Sequence, residues 1–126
     1  MITAVGYEEP TLRTFGYISD PTVAFSDRDL SDLLLSARRF NARHDVTGKL
    51  VVLEDETGIT RFAQVIEGPA ESIAVVTARI KSDPRHGSLQ VVVQGDIEGR
   101  RFAGWDMAIA RVESEVFEPE AEVLFG

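Results

Sequence analysis

Three residues of this 126-residue chain, Tyr17, Asn41 and Gln64, ask for more than a packing role. Gln64 stands in Phe62-Ala63-Gln64-Val65-Ile66, where strand alternation puts its amide on the same face as Phe62 and Ile66. A buried primary amide without partners costs about 1–3 kcal/mol, so on a core face it is expected to have hydrogen-bonding neighbours. On a shifted or locally exposed strand it would simply be hydrated, and the pattern leaves both readings open. Tyr17 shares a strand face with Ser19, and the ordinary job of such a tyrosine is packing, with its hydroxyl tied to a carbonyl. Asn41 follows a helical repeat, where asparagine is a common stop residue. Trp105 and Met107 lie two apart in an alternating stretch and suit core filling.

Other chemistries are missing their residues. The chain has no cysteine, which excludes disulfides, thiolate metal sites and a cysteine nucleophile. There is no glycine-rich phosphate loop, no nucleophile elbow and no His-Glu-x-x-His. The two histidines, His44 and His86, are too few and too far apart to suggest a metal site. No carboxylates are paired on an apolar background, so no hydrolase is indicated. Thirteen Lys and Arg against 21 Asp and Glu give a net charge of −8, the wrong sign for a protein that neutralises nucleic-acid phosphates. No run approaches the roughly 18 apolar residues of a membrane span. Residues 1–12 carry no Lys or Arg and no long apolar stretch, so no secretory signal is expected and the cytoplasm is the expected location.

The elements that must position these residues follow from periodicity. Residues 13–19 form a β-rich run stopped by Asp20-Pro21. Ser26 and Asp29 have the form of a capping box, and Leu30, Leu33, Leu34, Ala37 and Phe40 then repeat at helical spacing, which predicts a helix over 27–40. Leu50–Leu53 and Phe62–Ile66 read as two strands of a hairpin joined by a long acidic connection, residues 54–60. Gly68-Pro69 starts a second helix with the stripe Ile73, Val76 and Ile80, ended by Asp83-Pro84. Leu89–Val93 and an alternating stretch through Trp105, Met107 and Ile109 complete the order β-α-β-β-α-β-β.

This is the pattern of an α+β, ferredoxin-like two-layer sandwich: a mixed five-stranded sheet with two helices on one face. The expected unit is 13–111, preceded by an extension over 1–12 and followed by an acidic tail over 112–126, in which a short amphipathic helix is conceivable. In a ferredoxin-like sheet the first and third strands are neighbours. That adjacency allows Tyr17 and Gln64 to come within hydrogen-bond reach, which would make them a polar pair inside the core.

Taken together these residues resemble the BLUF family of flavin-using blue-light sensors. The resemblance spans roughly 14–110. It rests on Tyr17-Ile18-Ser19; Arg39-Phe40-Asn41-Ala42-Arg43 leading to Val46-Thr47-Gly48; Phe62 through Gly68; Asp83-Pro84-Arg85-His86; and Arg100 through Met107. It implies a noncovalently bound flavin, FAD with FMN or riboflavin as alternatives, lodged between the two helices. It makes Asn41 a partner of a ring carbonyl and Gln64 the bridge between flavin and Tyr17, the light-driven electron donor. Ser19, Arg79, Asp83 and His86 fall where the family adds polar contacts, and Trp105 with Met107 match the pair tied to signal output. Phe40 departs from the family, standing where many relatives have Asn or His.

The resemblance further implies a signalling module rather than an enzyme, with a homodimer as a family habit, and the expected receiver of the signal is a separate protein partner. Without cysteine, a covalent flavin–thiol switch of the light-oxygen-voltage kind is ruled out. The competing expectation is a ferredoxin-like interaction or small-molecule-binding module without photochemistry.

Overall fold

The computed structural model describes residues 11–113. Its elements are β1 (Leu12–Pro21), α1 (Asp27–Arg43), β2 (Thr47–Asp55), β3 (Gly58–Pro69), α2 (Ala70–Ser82), β4 (His86–Ile97) and β5 (Ala108–Glu113). The sheet order is β4-β1-β3-β2-β5. All neighbours are antiparallel except β2 and β5, which run parallel, so the sheet is mixed as expected.

Both helices lie on one face. Leu30 and Leu34 of α1 and Ile73 and Val76 of α2 share a buried cluster with Phe15, Tyr17, Leu50, Val52, Phe62 and Ile66 from the sheet. The alternate residues Ile18, Val51, Leu53, Ala63 and Val65 form a second cluster on the opposite face, closed by Phe102. Covering on both faces explains why Leu50–Leu53 is apolar throughout instead of alternating. Helix α1 starts at an N-cap serine: the Asp29 N–H donates to Ser26 Oγ, and the Ser26 N–H donates to Asp29 Oδ2, both at 3.0 Å.

Four expectations need correction. The Glu54–Thr60 connection is no long loop: Asp55 pairs with Gly58 across Glu56-Thr57, and Asp55 Oδ1 accepts the Thr57 N–H at 2.8 Å and its hydroxyl at 2.6 Å. A side chain that stands in for a turn carbonyl makes two residues sufficient. Helix α1 continues past Phe40 to Arg43, with His44 as its C-cap and Asp45 in the left-handed region at φ 58°, so Asn41 does not end it. Pro69 is the N-cap of α2 and lies just outside its first turn. Trp105 and Met107 precede β5 rather than alternating within it, because Gly104, at φ 86°, turns the chain immediately before Trp105.

Of the extension expected over 1–12 and the acidic tail expected over 112–126, Leu12 begins β1 and Val112 and Glu113 end β5; residues 1–10 and 114–126, with the rest of the helix conceived for the tail, lie outside the described residues. Among the described residues no helix is long and apolar enough to cross a membrane, and no group of three His, Asp or Glu side chains is placed to hold a metal ion.

Candidate functional site

The antiparallel register sets Tyr17 of β1 directly opposite Gln64 of β3. Both point to the helix side, 4% and 7% exposed, and the phenol O–H donates to Gln64 Oε1 at 2.5 Å. Of the two readings of Gln64, the structure selects the buried, partnered one. Burial raises the Tyr17 phenol well above its ordinary value, with the Asp83 charge adding to the effect, so it stays a neutral O–H donor. On its other side, Gln64 Nε2 donates to Met107 Sδ at 3.5 Å.

These residues floor a cleft between α1 and α2. Its walls are apolar, from Leu33, Ala37 and Phe40 on α1 and Val76 and Ile80 on α2. Tyr17, Asn41, Gln64, Arg79, Asp83, His86 and Met107 all line it, together with Arg85.

Asn41 is 3% exposed. Its position near the end of α1 aims Nδ2 at the Asp106 carbonyl, 3.0 Å away. One turn back on the same helix face, Arg38 Nε donates to the Met107 carbonyl at 3.0 Å. The two α1 side chains thus clamp the segment that brings Met107 under the cleft. Arg38 had escaped the sequence reading, although its spacing of three from Asn41 is the signal that could have found it.

The outer end of the cleft is polar. Asp83 is paired with Arg85 at 2.6 Å, and that hydrogen-bonded guanidinium holds the carboxyl below the usual carboxylate range. Arg79 Nη2 donates to Ser36 Oγ at 2.7 Å, and its guanidinium lies over the Phe40 ring, 4.1 Å from the centroid. Phe40, the departure from the family pattern, is therefore a platform for Arg79. His86 Nε2 donates to the Ile80 carbonyl at 2.7 Å, and its Nδ1 is hydrogen-bonded to Ser19 Oγ, also at 2.7 Å. Ser19 acts on the cleft only through His86 and does not line it.

Trp105 is not in the cleft either. The residue is 53% exposed and its ring centroid lies 6.3 Å from that of Phe102. Of the expected output pair, Met107 is inside and Trp105 outside.

The cleft suits a flat heteroaromatic ring with a polar edge. Gln64 uses one acceptor and one donor position of its amide on the protein, and Asn41 one donor, so both retain donors and acceptors for a ligand. Alternating carbonyl and nitrogen positions of a flavin ring match amides that offer both roles, while the apolar walls match its faces.

Comparison with known proteins gives the same direction. A family profile described as "BLUF: Sensors of blue-light using FAD" matches residues 12–108. The photoactivated adenylate cyclase subunit beta of Euglena longa is 34% identical over 125 residues, 98% of this chain. The corresponding subunit of Euglena gracilis is 33% identical over the same share. This chain spans only 14% of the length of either relative. The dark-state structure of BlrB, a BLUF protein, matches with a TM-score of 0.74 at 28% identity, over 92% of this chain and 85% of that one. Klebsiella pneumoniae BlrP1, solved with FMN and cyclic diGMP, matches with a TM-score of 0.69 at 30% identity, over 90% of this chain and 29% of that one.

Proposed function

The chain belongs to the BLUF family, sensors of blue light using FAD, and from that membership we propose how its own residues perform the sensing. The carrying observation is the buried Tyr17–Gln64 hydrogen bond on the floor of the cleft. Asn41 and Gln64 hold the polar edge of the flavin ring, the apolar walls of α1 and α2 hold its faces, and Arg79 and Asp83 act at the outer end. His86, steadied by Ser19, orients the wall next to Tyr17, whose ring centroid is 5.9 Å from its own.

Bound flavin, once excited by blue light, supplies a strong oxidant. Tyr17 is the residue suited to meet it. Its O–H already donates to Gln64 Oε1, so loss of an electron from the phenol has a path for the accompanying proton. Gln64 suits the next step because its amide is both donor and acceptor: reorientation or tautomerisation exchanges the groups it shows to Tyr17 and Met107. Either change alters the contact to Met107 Sδ and so reaches the segment carrying Trp105.

We further propose that residues 13–111 form the sensing unit, that it turns over no substrate itself, and that it signals to a separate effector protein, with a homodimer as its assembly. The names of the cyclase relatives support coupling of such a sensor to an effector. The test is direct. Purified protein loaded with FAD should be yellow and shift its visible absorption reversibly to the red under blue light. Protein that stays colourless after FAD addition would overturn the reading.

A further inference from the structure

The connection from β4 to β5 runs from one edge of the sheet to the other. On the way it changes faces: Phe102 packs with Ala63 and Val65 on the side away from the helices, whereas Met107 sits in the helix-side core. Two groups hold its start. Glu67 of β3, 1% exposed, accepts the Arg101 N–H at 2.9 and 3.0 Å and the Phe102 N–H at 2.9 Å. Arg100 donates to Thr47 Oγ1 at 2.9 Å, to the Glu67 carbonyl at 3.2 Å and to the Asp45 carbonyl at 2.8 Å. A carboxylate at this depth is costly unless hydrogen-bonded, and nothing in the proposed photochemistry uses it.

We propose that Glu67 is a positioning residue for signal output: its carboxylate ties residues 101 and 102 to the strand that carries Gln64, so a change at Gln64 is transmitted to the segment around Trp105. The proposal rests on the photoreceptor reading above.

Gln64 and Glu67 are three residues apart on one strand and therefore face opposite sides of the sheet. The segment is tied to that strand on both faces, through Met107 Sδ to Gln64 on one and through two N–H groups to the Glu67 carboxylate on the other. Trp105 lies between the ties, its carbonyl accepting the Gly48 N–H at 3.0 Å. Movement of β3 shifts both ties together and is displayed at an exposed indole. Both N–H groups converge on Oε1, and the Arg101 N–H is shared with Oε2, so both carboxylate oxygens act as acceptors. A glutamine of the same shape keeps one acceptor oxygen but turns an N–H₂ toward the Arg101 N–H in place of the other.

The experiment is amide hydrogen exchange over 98–107 in FAD-loaded full-length protein, dark and under blue light, with the absorption shift recorded on the same samples. In the wild type, light should accelerate exchange at Arg101 and Phe102. In Glu67→Gln, dark exchange there should already be about tenfold faster and light should add little, while the red shift keeps its wild-type size. Arg100→Lys, which leaves the carboxylate in place but loses the fork to Thr47 and Asp45, should show the same signature in weaker form, and stands in if Glu67→Gln does not fold.

A variant with wild-type dark protection, or with an undiminished light-minus-dark difference, overturns the proposal. So does a red shift that falls in step with protection, the mark of a merely structural role. A wild type without any red shift would instead defeat the photoreceptor reading, and the dark exchange comparison would still test the anchor.

Discussion

Tyr17 and Gln64 are register partners on adjacent antiparallel strands, and the phenol of one donates to the amide oxygen of the other inside a cleft with apolar walls and a polar outer end. This pair concentrates the most direct tests of function.

Replacing Gln64 by Leu leaves the Tyr17 hydroxyl buried without its acceptor, which should destabilise the fold by about 1–3 kcal/mol. The apolar walls remain, so flavin is still taken up, but the light-induced red shift is lost. Absorption spectra before and after blue light decide it, and a normal shift in Gln64→Leu would sink the proposed relay.

Tyr17→Phe keeps the ring and removes only the hydroxyl. Stability should change by about 1 kcal/mol, while bound flavin would lose the proposed electron donor and its fluorescence lifetime should lengthen. An unchanged lifetime would mean that the electron comes from elsewhere.

The Tyr17 phenol should not ionise in the folded protein at its ordinary pH, because burial raises it. Absorbance titrations of wild type and Tyr17→Phe should therefore coincide through the usual tyrosine range. With the folded value raised, the folded state holds its proton longer than the unfolded state does. The linked stability is complete below the ordinary tyrosine value and declines as pH climbs from there toward the folded value. Urea melts at rising alkaline pH should show that loss in the wild type and not in Tyr17→Phe.

At the acid end the sign reverses. Asp83 is held below its ordinary value, chiefly by the hydrogen bond from Arg85, so its contribution is present above the ordinary carboxyl value and disappears as pH falls through the folded one. Arg85 is 45% exposed, and solvent screening limits the pair to about 0.5 kcal/mol. Asp83→Asn should cost that much at neutral pH and nothing at low pH, as read by urea melts at the two conditions.

Gly48→Ala tests the packing of β2 on β3. A methyl group there would meet the Val65 carbonyl oxygen at 2.2 Å and Ile66 Cα at 3.1 Å, both backbone atoms that cannot swing aside. Destabilisation of about 1–3 kcal/mol or more is expected. Gly99→Ala, with nothing within 4 Å, is the neutral control in the same denaturation series.

The legible parts of this molecule were those written in period and punctuation. The capping box at Ser26, the stripes of both helices and the misplaced Gln64 gave element order and, through strand adjacency, the Tyr17–Gln64 pair. The segment from 98 to 107 was not legible, because its anchors are side chains bonding backbone groups far away in sequence: Arg38 to Met107, Asn41 to Asp106 and Glu67 to Arg101. Such bonds leave no periodic trace. A buried Glu67 and an exposed Trp105 invert what residue type alone suggests. Asn41 looked like a helix stop because its polar side chain fits that job equally well.

The facing of Tyr17 and Gln64 also makes the chain's colour response a gauge of strand alignment. If β3 slid by two residues along β1, every side chain would keep its face, and Phe62 or Ile66 would come to lie opposite Tyr17. Such a misaligned sheet could still bury its core and still hold a yellow ring between the helices. It would be blind, so the ratio of red-shifting to merely coloured protein in a refolded sample measures the fraction of molecules that closed the sheet in register.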